Sequence, residues 1–334
     1  MADPRVVLEL IDAFRASKVM FTAVSLELFD RLERAPASGP DLAVENSLDA
    51  GALERLLDAC VALGLLAHEG AVYRNQPAAS RYLCRDSPET LTGYILYSDK
   101  VLWYLWANLE DAVREGTHRL AQTFGHREGI FDGLFASEEK KRVFVAGMHG
   151  LGLVASPAVV ASFDLSRFGH LCDLGGATGH LAIEACRRYP TLRATVFDLD
   201  KVVPHARDYI ARAGLGGRVG VQAGDFFTDP LPAADLFSLG RILHDWTEAK
   251  IRSLLAKIYA ALPEGGGLLV AERILFPLKD GPLAANLQSL NMLVVTEGKE
   301  RTATEYESLL REAGFREFHA RSTGRTLDAM LAIK

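Results

Sequence analysis

Residues 172–179 read Cys-Asp-Leu-Gly-Gly-Ala-Thr-Gly, and His180-Leu-Ala-Ile-Glu-Ala-Cys-Arg-Arg188 follows. An apolar run from Leu171 ends at Asp173 and Leu174, and the residues after Gly179 carry apolar positions at helical spacing. The segment therefore reads as strand, glycine turn, helix. Gly175, Gly176 and Gly179 let the backbone come close to a ligand at the carboxyl end of a strand. About 20 positions on, Asp198 closes the next apolar run, where a carboxylate accepts hydrogen bonds from ribose hydroxyls. A nucleoside-containing cofactor is expected. A dinucleotide would need Gly-x-Gly-x-x-Gly and a helix amino terminus open to pyrophosphate. Here Asp173 stands just before the first glycine, where it repels a pyrophosphate and pairs with a sulfonium or amino group. The balance tilts to S-adenosylmethionine.

Working outward, the pattern from Leu171 onward alternates strand and helix. Strands are predicted at Leu171–Leu174, Ala194–Leu199, Val219–Gln222, Asp235–Leu239, Gly267–Ala271, Glu317–Ala320 and Asp328–Ile333. Helices fall between most of them, including Thr247–Ala261, closed by Pro263 and Gly265-Gly-Gly, and Ala303–Ala313, closed by Gly314. Such alternation predicts an α/β fold with a mostly parallel, doubly wound sheet. The last two strands have no helix between them and predict an antiparallel hairpin at one edge. Ligands bind outside the carboxyl ends of strands in such sheets.

The first half has a different grammar. Residues 1–165 read as almost entirely helical, with Val6, Val7, Leu10, Ile11 and Phe14 at helical spacing and the same pattern continuing from Val19 to Leu32. Ala52–Leu66 is expected to be an apolar helix, Ala67–Gly70 a turn and Ala71–Arg74 a short strand. Helix, short helix, helix and hairpin form a winged-helix pattern. Its candidate recognition helix carries Arg55 as its single fixed positive charge, too little for phosphate anchoring, so core or dimer packing is expected instead. From Tyr94 to Trp106 an aromatic helical stretch is apolar nearly all round and is expected to be buried. Trp103 and Trp106 could border a planar ligand, although packing is the better explanation.

The 334 residues suffice for two domains, 49% of them are apolar, and the formal net charge is −6 without a basic block. A nucleic-acid partner is not expected. The amino terminus lacks the basic start and apolar run of a signal peptide, and the sequence shows no unbroken apolar run of membrane-spanning length. Cys60, Cys84, Cys172 and Cys186 lack metal or redox spacing, and buried thiols in a reducing cytoplasm are expected.

The polar signals cluster after the strands. Gly224-Asp225-Phe226-Phe227 follows the third; Asp225 could accept from an exocyclic amine or merely cap a turn, and Phe226 could lie against adenine. The fourth ends in Arg241-Ile-Leu-His244-Asp245-Trp246. A lone histidine is more often structural than catalytic, but His244 sits at a strand's carboxyl end, where imidazole suits removal of a hydroxyl proton. Its ring needs an acceptor, for which Glu272 and Glu300 are candidates.

Taken together, Asp173–Gly179, Asp198, Gly224–Phe227, His244-Asp-Trp246 and Gly298-Lys-Glu-Arg-Thr302 resemble the plant-type small-molecule O-methyltransferases, in particular the acetylserotonin O-methyltransferase branch and its "like" paralogue. Phe163-Asp-Leu-Ser-Arg-Phe168, Gly224-Asp-Phe-Phe-Thr-Asp-Pro-Leu-Pro232 and Ser289–Arg301 carry the likeness further, and it covers the whole chain. The resemblance implies a Rossmann-like methyltransferase sheet over residues 166–334, a winged-helix dimerisation domain over 1–105, and a helical connector over 106–165 that lines the active site. It implies S-adenosylmethionine as donor, S-adenosylhomocysteine as product, no metal, and a homodimer through the amino-terminal domain. His244 matches the general base, flanked by Glu272 and Glu300. Asp198, Asp225, Phe226 and Arg241 match cofactor positions, with Asp173, Gly175, Gly176, Gly179, Leu199 and Gly224 beside them. Asp245, Trp246 and Asn291 match the acceptor side, and Met148-His149-Gly150 resembles the paralogue, which makes Met148 and His149 candidate acceptor contacts as well. The chain departs from the pattern at Ala177, where many members have glycine, and at Phe135 and Gly152, where the acetylserotonin branch has tyrosine and tryptophan. The expected activity is methyl transfer to a hydroxyl of a small aromatic or heteroaromatic acceptor in the cytoplasm. The alternatives are a nitrogen, sulfur or carbon acceptor, a cofactor-binding homologue without turnover and, weakest, a DNA-binding regulator.

Overall fold

The structure is a computed structural model that describes residues 3–125 and 137–334. The chain divides into two compact units, Met1–Trp103 and Tyr104–Lys334.

In the first unit, helices Arg5–Ser25, Leu28–Arg34, Gly39–Asn46 and Ala50–Ala62 precede a hairpin of β2 (Leu66–Glu69) and β3 (Val72–Asn75), and β1 (Ala37–Ser38) pairs with the other edge of β3. Ser38 and Asp49 cap the third and fourth helices by accepting from Asp41 N and Ala52 N. Phe29, Leu42, Leu57, Cys60 and Leu66 fill the core. Four sequence expectations need correction. Ala67–Gly70, expected as a turn, lies in β2 up to Glu69, and the turn falls at Gly70 and Ala71. The helix expected over Ala52–Leu66 stops at Ala62, because Gly64 adopts φ +72° and turns the chain, leaving Leu66 to open β2. The run Val19–Leu32 breaks at Glu27, which holds φ +57° between two helices. The aromatic stretch is not buried all round: Tyr104 is 54% exposed, and a π-helical turn at Ser98–Leu102 shifts the helical register. Trp103 packs on Phe14 and Phe21 with Lys18 over its ring.

The first helix presents Val6, Val7, Leu8, Leu10, Ile11 and Phe14 to solvent within this chain. A contiguous apolar surface of this kind marks an interaction face.

The second unit is built on a seven-stranded sheet of β4 (His170–Leu174), β5 (Arg193–Asp198), β6 (Val219–Ala223), β7 (Leu236–Gly240), β8 (Gly267–Glu272), β11 (Glu317–Arg321) and β12 (Asp328–Ile333). The order is β11-β12-β8-β7-β4-β5-β6, parallel except for β12 and β11. A short parallel pair, β9 (Ile274–Leu275) with β10 (Arg301–Thr302), stands apart. The strand boundaries lie within one residue of those read from the sequence. Strand residues alternate between two apolar layers. Leu171, Ala194, Val196, Leu236 and Leu269 face helices Glu138–Ala161, His180–Arg188 and Val203–Arg212. Cys172, Leu174, Phe237, Leu239 and Leu268 face helices Glu248–Ala261 and Ala303–Glu312. Both faces are covered, so the central strands read as apolar runs. The four cysteines are buried and free.

One helix bears on the membrane question. Lys140–Ala161 is long and apolar enough to span a bilayer, but Val145, Leu151, Ala155, Val159 and Val160 along it are buried and the helix packs against His180–Arg188. That is the signature of a core helix. The strand order reverses between β4 and β7, and the ends of those two strands carry Asp173 and Arg241.

Candidate active site

After β4 the chain turns sharply. Gly175 adopts φ +64° with its N–H on Phe197 O (2.8 Å), and a Cβ there would lie 2.6 Å from Ile242 Cδ1. A Cβ on Gly176 would lie 2.5 Å from Asp173 Oδ2, so the loop closes over that carboxylate only because the residue is glycine. Ala177 also holds a positive φ, +49°; its N–H donates to Asp198 Oδ2 at 2.8 Å. An alanine is therefore accommodated where the family favours glycine, with the second strand's acid bracing the strained residue. Asp198 Oδ1 accepts from Leu199 N (2.7 Å).

Asp173 is buried. Ser238 of β7 donates to its Oδ1 (2.6 Å), while Oδ2 has no hydrogen-bond partner. Burial raises Asp173 to about 7, with Asp198 nearby adding to the rise, and burial raises Asp198 to about 6. Burial disfavours the charge on both carboxylates, and a cation placed beside them would lower both.

Beyond β6, Gly224 N donates to Asp198 O (2.9 Å), which draws the next turn against the acid that closes β5. A Cβ on Gly224 would sit 2.3 Å from the Phe197 ring. Asp225 Oδ1 accepts from Phe227 N, and Asp229 Oδ2 accepts from Asp225 N, both at 2.8 Å. Phe226 stands exposed in part, its ring 4.7 Å from Phe227, which in turn meets Trp246 edge-on at 4.9 Å. Lys257, from the helix Glu248–Ala261, donates to three carbonyl oxygens of the same turn, Phe226 O (2.9 Å), Phe227 O (3.1 Å) and Asp229 O (2.6 Å).

At the end of β7, Arg241 takes φ +60° and starts a tight turn leading to His244. Glu272, the last residue of β8, orders that turn: its Oε1 accepts from the backbone N–H of Ile242 (3.0 Å), Leu243 (2.8 Å) and His244 (3.4 Å). His244 is buried, with Nδ1 2.7 Å from Glu300 Oε1 and 3.2 Å from Glu272 Oε2. The shorter contact has hydrogen-bond geometry; with Glu300 ionised, Nδ1 carries the proton and donates it to that carboxylate. Nε2 is then the basic atom, 3.6 Å from Asp245 Oδ1.

Glu300 reaches His244 because Gly298 lets its segment press on the turn. A Cβ there would lie 2.1 Å from His244 O. Arg301, fully buried, donates to Leu243 O (3.3 Å) and locks the two segments together. Burial pushes Glu300 up to about 8 and Glu272 and Asp245 up to about 7, although Arg241 draws Glu300 and Asp245 down. His244, Glu272 and Glu300 converge closely enough to hold a metal ion. Their bonds serve another end: one glutamate oxygen is spent on three backbone N–H groups and the other acid on the imidazole.

The remaining candidates spread around this centre. Asn291, on the helix Leu283–Val295, accepts from Trp106 Nε1 at 2.8 Å. Met148 and His149 are half-buried on the helix Glu138–Ala161; His149 Nδ1 lies 2.8 Å from Thr178 Oγ1 and its ring 3.8 Å from that of Tyr209, so it borders the glycine loop. Burial lowers His149 to about 4. Gly152 leaves a slot filled by His180, whose ring atoms would lie 2.2–2.5 Å from a Cβ at 152 and whose Nδ1 lies 2.8 Å from Ser156 Oγ. Phe135 lies outside the described residues. Sequence reasoning missed Ser238, Lys257, His180 and Arg301. Each meets its partner from a distant part of the chain, except for the pattern Gly298-x-x-Arg301, whose glycine was a visible signal.

The set of acceptors fits a positively charged nucleoside ligand. Asp173 offers an unpartnered buried oxygen, Asp198 stands at the next strand end, and the Asp225–Phe226 turn is drawn against it. Comparison with known proteins agrees. Residues 106–316 match the family model of the O-methyltransferase domain, and residues 8–85 match the O-methyltransferase dimerisation domain. The chain is 42% identical over 338 residues to chicken (Gallus gallus) acetylserotonin O-methyltransferase, covering 99% of this chain and 97% of that one. It is 41% identical to a human "probable bifunctional dTTP/UTP pyrophosphatase/methyltransferase protein", covering 99% of this chain and 54% of that one. The crystal structure of human N-acetylserotonin methyltransferase in complex with S-adenosylmethionine superposes with a TM-score of 0.95 at 41% identity, covering 99% of this chain and 97% of that one.

Proposed function

The chain belongs to the S-adenosylmethionine-dependent O-methyltransferase family, and on that premise we propose that it methylates a hydroxyl of a small aromatic or heteroaromatic acceptor with His244 as general base. The observation that carries the reading is the buried imidazole at the end of β7, tied through Nδ1 to Glu300 and leaving Nε2 as the basic atom. S-adenosylmethionine supplies a methyl group activated by a positively charged sulfur. Asp173 and the loop Gly175, Gly176 and Gly179 serve the cationic end of the cofactor, Asp198 and Leu199 its ribose, and Gly224, Asp225 and Phe226 its adenine. Arg241 borders the same seat.

On this reading His244 Nε2 takes the proton from the acceptor hydroxyl. The charge that develops on the ring is balanced at Nδ1 by Glu300 and Glu272. Asp245, beside Nε2, orients the hydroxyl, while Asn291, Trp246, Met148 and His149 belong to the surroundings of the acceptor. Holding donor and acceptor in line supplies much of the acceleration. The similarity to acetylserotonin enzymes makes hydroxyindoles the first acceptors to try, while Gly152 in place of tryptophan argues for a pocket of different shape. The matched dimerisation domain and the exposed apolar face of Arg5–Ser25 support a homodimer, and four free buried thiols suit the reducing cytoplasm.

The test is a methyl-transfer screen over phenols, hydroxyindoles including N-acetylserotonin, and amine and thiol acceptors. His244→Ala is expected to abolish transfer to the hydroxyl substrate and to leave cofactor affinity within about twofold. Equal turnover in the variant would remove His244 from the base role. Tight cofactor binding with no acceptor turned over would favour a non-catalytic homologue, and turnover confined to amines or thiols would move the acceptor class.

A further inference from the structure

The turn at residues 225–229 is held from behind by a single cation. Its own side chains close it on the front: Asp225 Oδ1 accepts from Phe227 N and Asp229 Oδ2 accepts from Asp225 N, both at 2.8 Å. Asp225 O accepts from Thr228 N (3.1 Å) and Asp229 N (2.8 Å). This winding gathers the carbonyl oxygens of Phe226, Phe227 and Asp229 on one side, where like dipoles oppose one another. Lys257 Nζ sits among them at 2.9, 3.1 and 2.6 Å, one N–H for each oxygen. The lysine is anchored by a rigid support, since Ile251, Leu254, Leu255 and Ile258 of its helix are buried in the sheet's core. On the far side of the turn Phe227 meets Phe226 and Trp246.

We propose that Lys257 is a positioning residue for cofactor binding, which fixes the Asp225–Phe226 turn in the shape that receives the adenine. The inference rests on the reading of Asp225 and Phe226 as the adenine seat, and it adds a residue that touches neither cofactor nor acceptor. Without the ammonium the three carbonyls must turn outward to water, and the partly exposed Phe226 loses its fixed place. Adenine lies far along the cofactor from the reacting methyl group, so the loss falls on affinity and spares the chemical step.

The experiment compares the full chain with Lys257→Met and Lys257→Arg by calorimetry with S-adenosylhomocysteine and with adenosine, and by initial rates. Lys257→Met is expected to weaken both ligands about tenfold, the worth of a lost charged hydrogen bond. The KM for S-adenosylmethionine rises to match, while kcat and the KM for the acceptor stay within about twofold. Lys257→Arg, which keeps the charge and several donors, retains most of the affinity. Affinity in Lys257→Met within twofold of the native protein overturns the proposal, as does weakening of S-adenosylhomocysteine without adenosine, or a fall confined to kcat. Native protein that binds neither ligand overturns the underlying cofactor reading instead. If the methionine variant does not fold, Lys257→Gln, with its amide donor, takes its place: weakening of both ligands supports the proposal, and affinity within twofold of the native protein overturns it.

Discussion

Replacing Glu300 by glutamine changes one atom's chemistry in a buried site and leaves its shape alone. Glu300 Oε1 is 2.7 Å from His244 Nδ1, and the proposed mechanism places a positive charge on that ring as the hydroxyl proton arrives at Nε2. At an effective dielectric of about 20, two opposite unit charges about 4 Å apart attract by about 4 kcal/mol. Glu272 Oε2, at 3.2 Å from the same nitrogen, keeps a share of that stabilisation in the variant. A net loss of about 2–4 kcal/mol remains, which is roughly 30- to 1,000-fold in kcat. The assay is the initial rate of S-adenosylhomocysteine formation at saturating donor and acceptor, run above pH 8 where Glu300, held near 8 by burial, is ionised, with cofactor affinity measured separately by calorimetry. Cofactor affinity should hold within about twofold, because Glu300 faces the imidazole. Glu272→Gln provides the contrast: it also weakens the acceptor of three backbone N–H groups, so it should lower the unfolding midpoint where Glu300→Gln does not. A kcat for Glu300→Gln within threefold of the native value would refute the coupling of Glu300 to the developing charge.

Burial holds Asp173 and Glu272 near 7, Asp198 near 6 and Glu300 near 8, against ordinary values of 3.8 and 4.5; in the ligand-free fold these acids keep protons that the unfolded chain has released. Their contribution to stability is therefore complete below about pH 4 and fades as pH rises toward 8. Thermal midpoints without cofactor should fall between pH 6 and 8 and fall less with saturating S-adenosylmethionine; a ligand-free midpoint that rises over that range would contradict this. Gly152→Ala, ordinarily a gain of about 1 kcal/mol within a helix, should instead destabilise by about 1–3 kcal/mol, since its Cβ would lie 2.2 Å from the His180 ring. In a His180→Ala background the sign should revert to a gain in urea unfolding; the same sign in both backgrounds would show that the two residues do not share the slot.

The centre of the sheet was legible because β4, β5, β7 and β8 are short apolar runs with a polar residue at or beside the end, and that polar residue was itself the signal for the site. Asp173, Asp198, Asp225 and His244 could be placed at strand ends without knowing a single distance. What the sequence could not show is contact between segments far apart along the chain. Nothing near Lys257 announces that it will meet carbonyls about 30 residues earlier, and nothing near Gly152 announces His180. The helix boundary at Ala62 was missed for a different reason: apolar residues continue through Leu66, and only the left-handed conformation of Gly64 separates the helical run from the strand.

The apolar side of the Arg5–Ser25 helix carries a practical consequence. Six large apolar side chains facing water are tolerated poorly by a solitary chain, and in the proposed homodimer a second copy covers them, which makes stability a matter of mass action. On that proposal, protein concentration enters every measurement on this chain. Unfolding midpoints rise with concentration, and specific activity measured at high dilution reports on association as much as on the histidine at the end of β7.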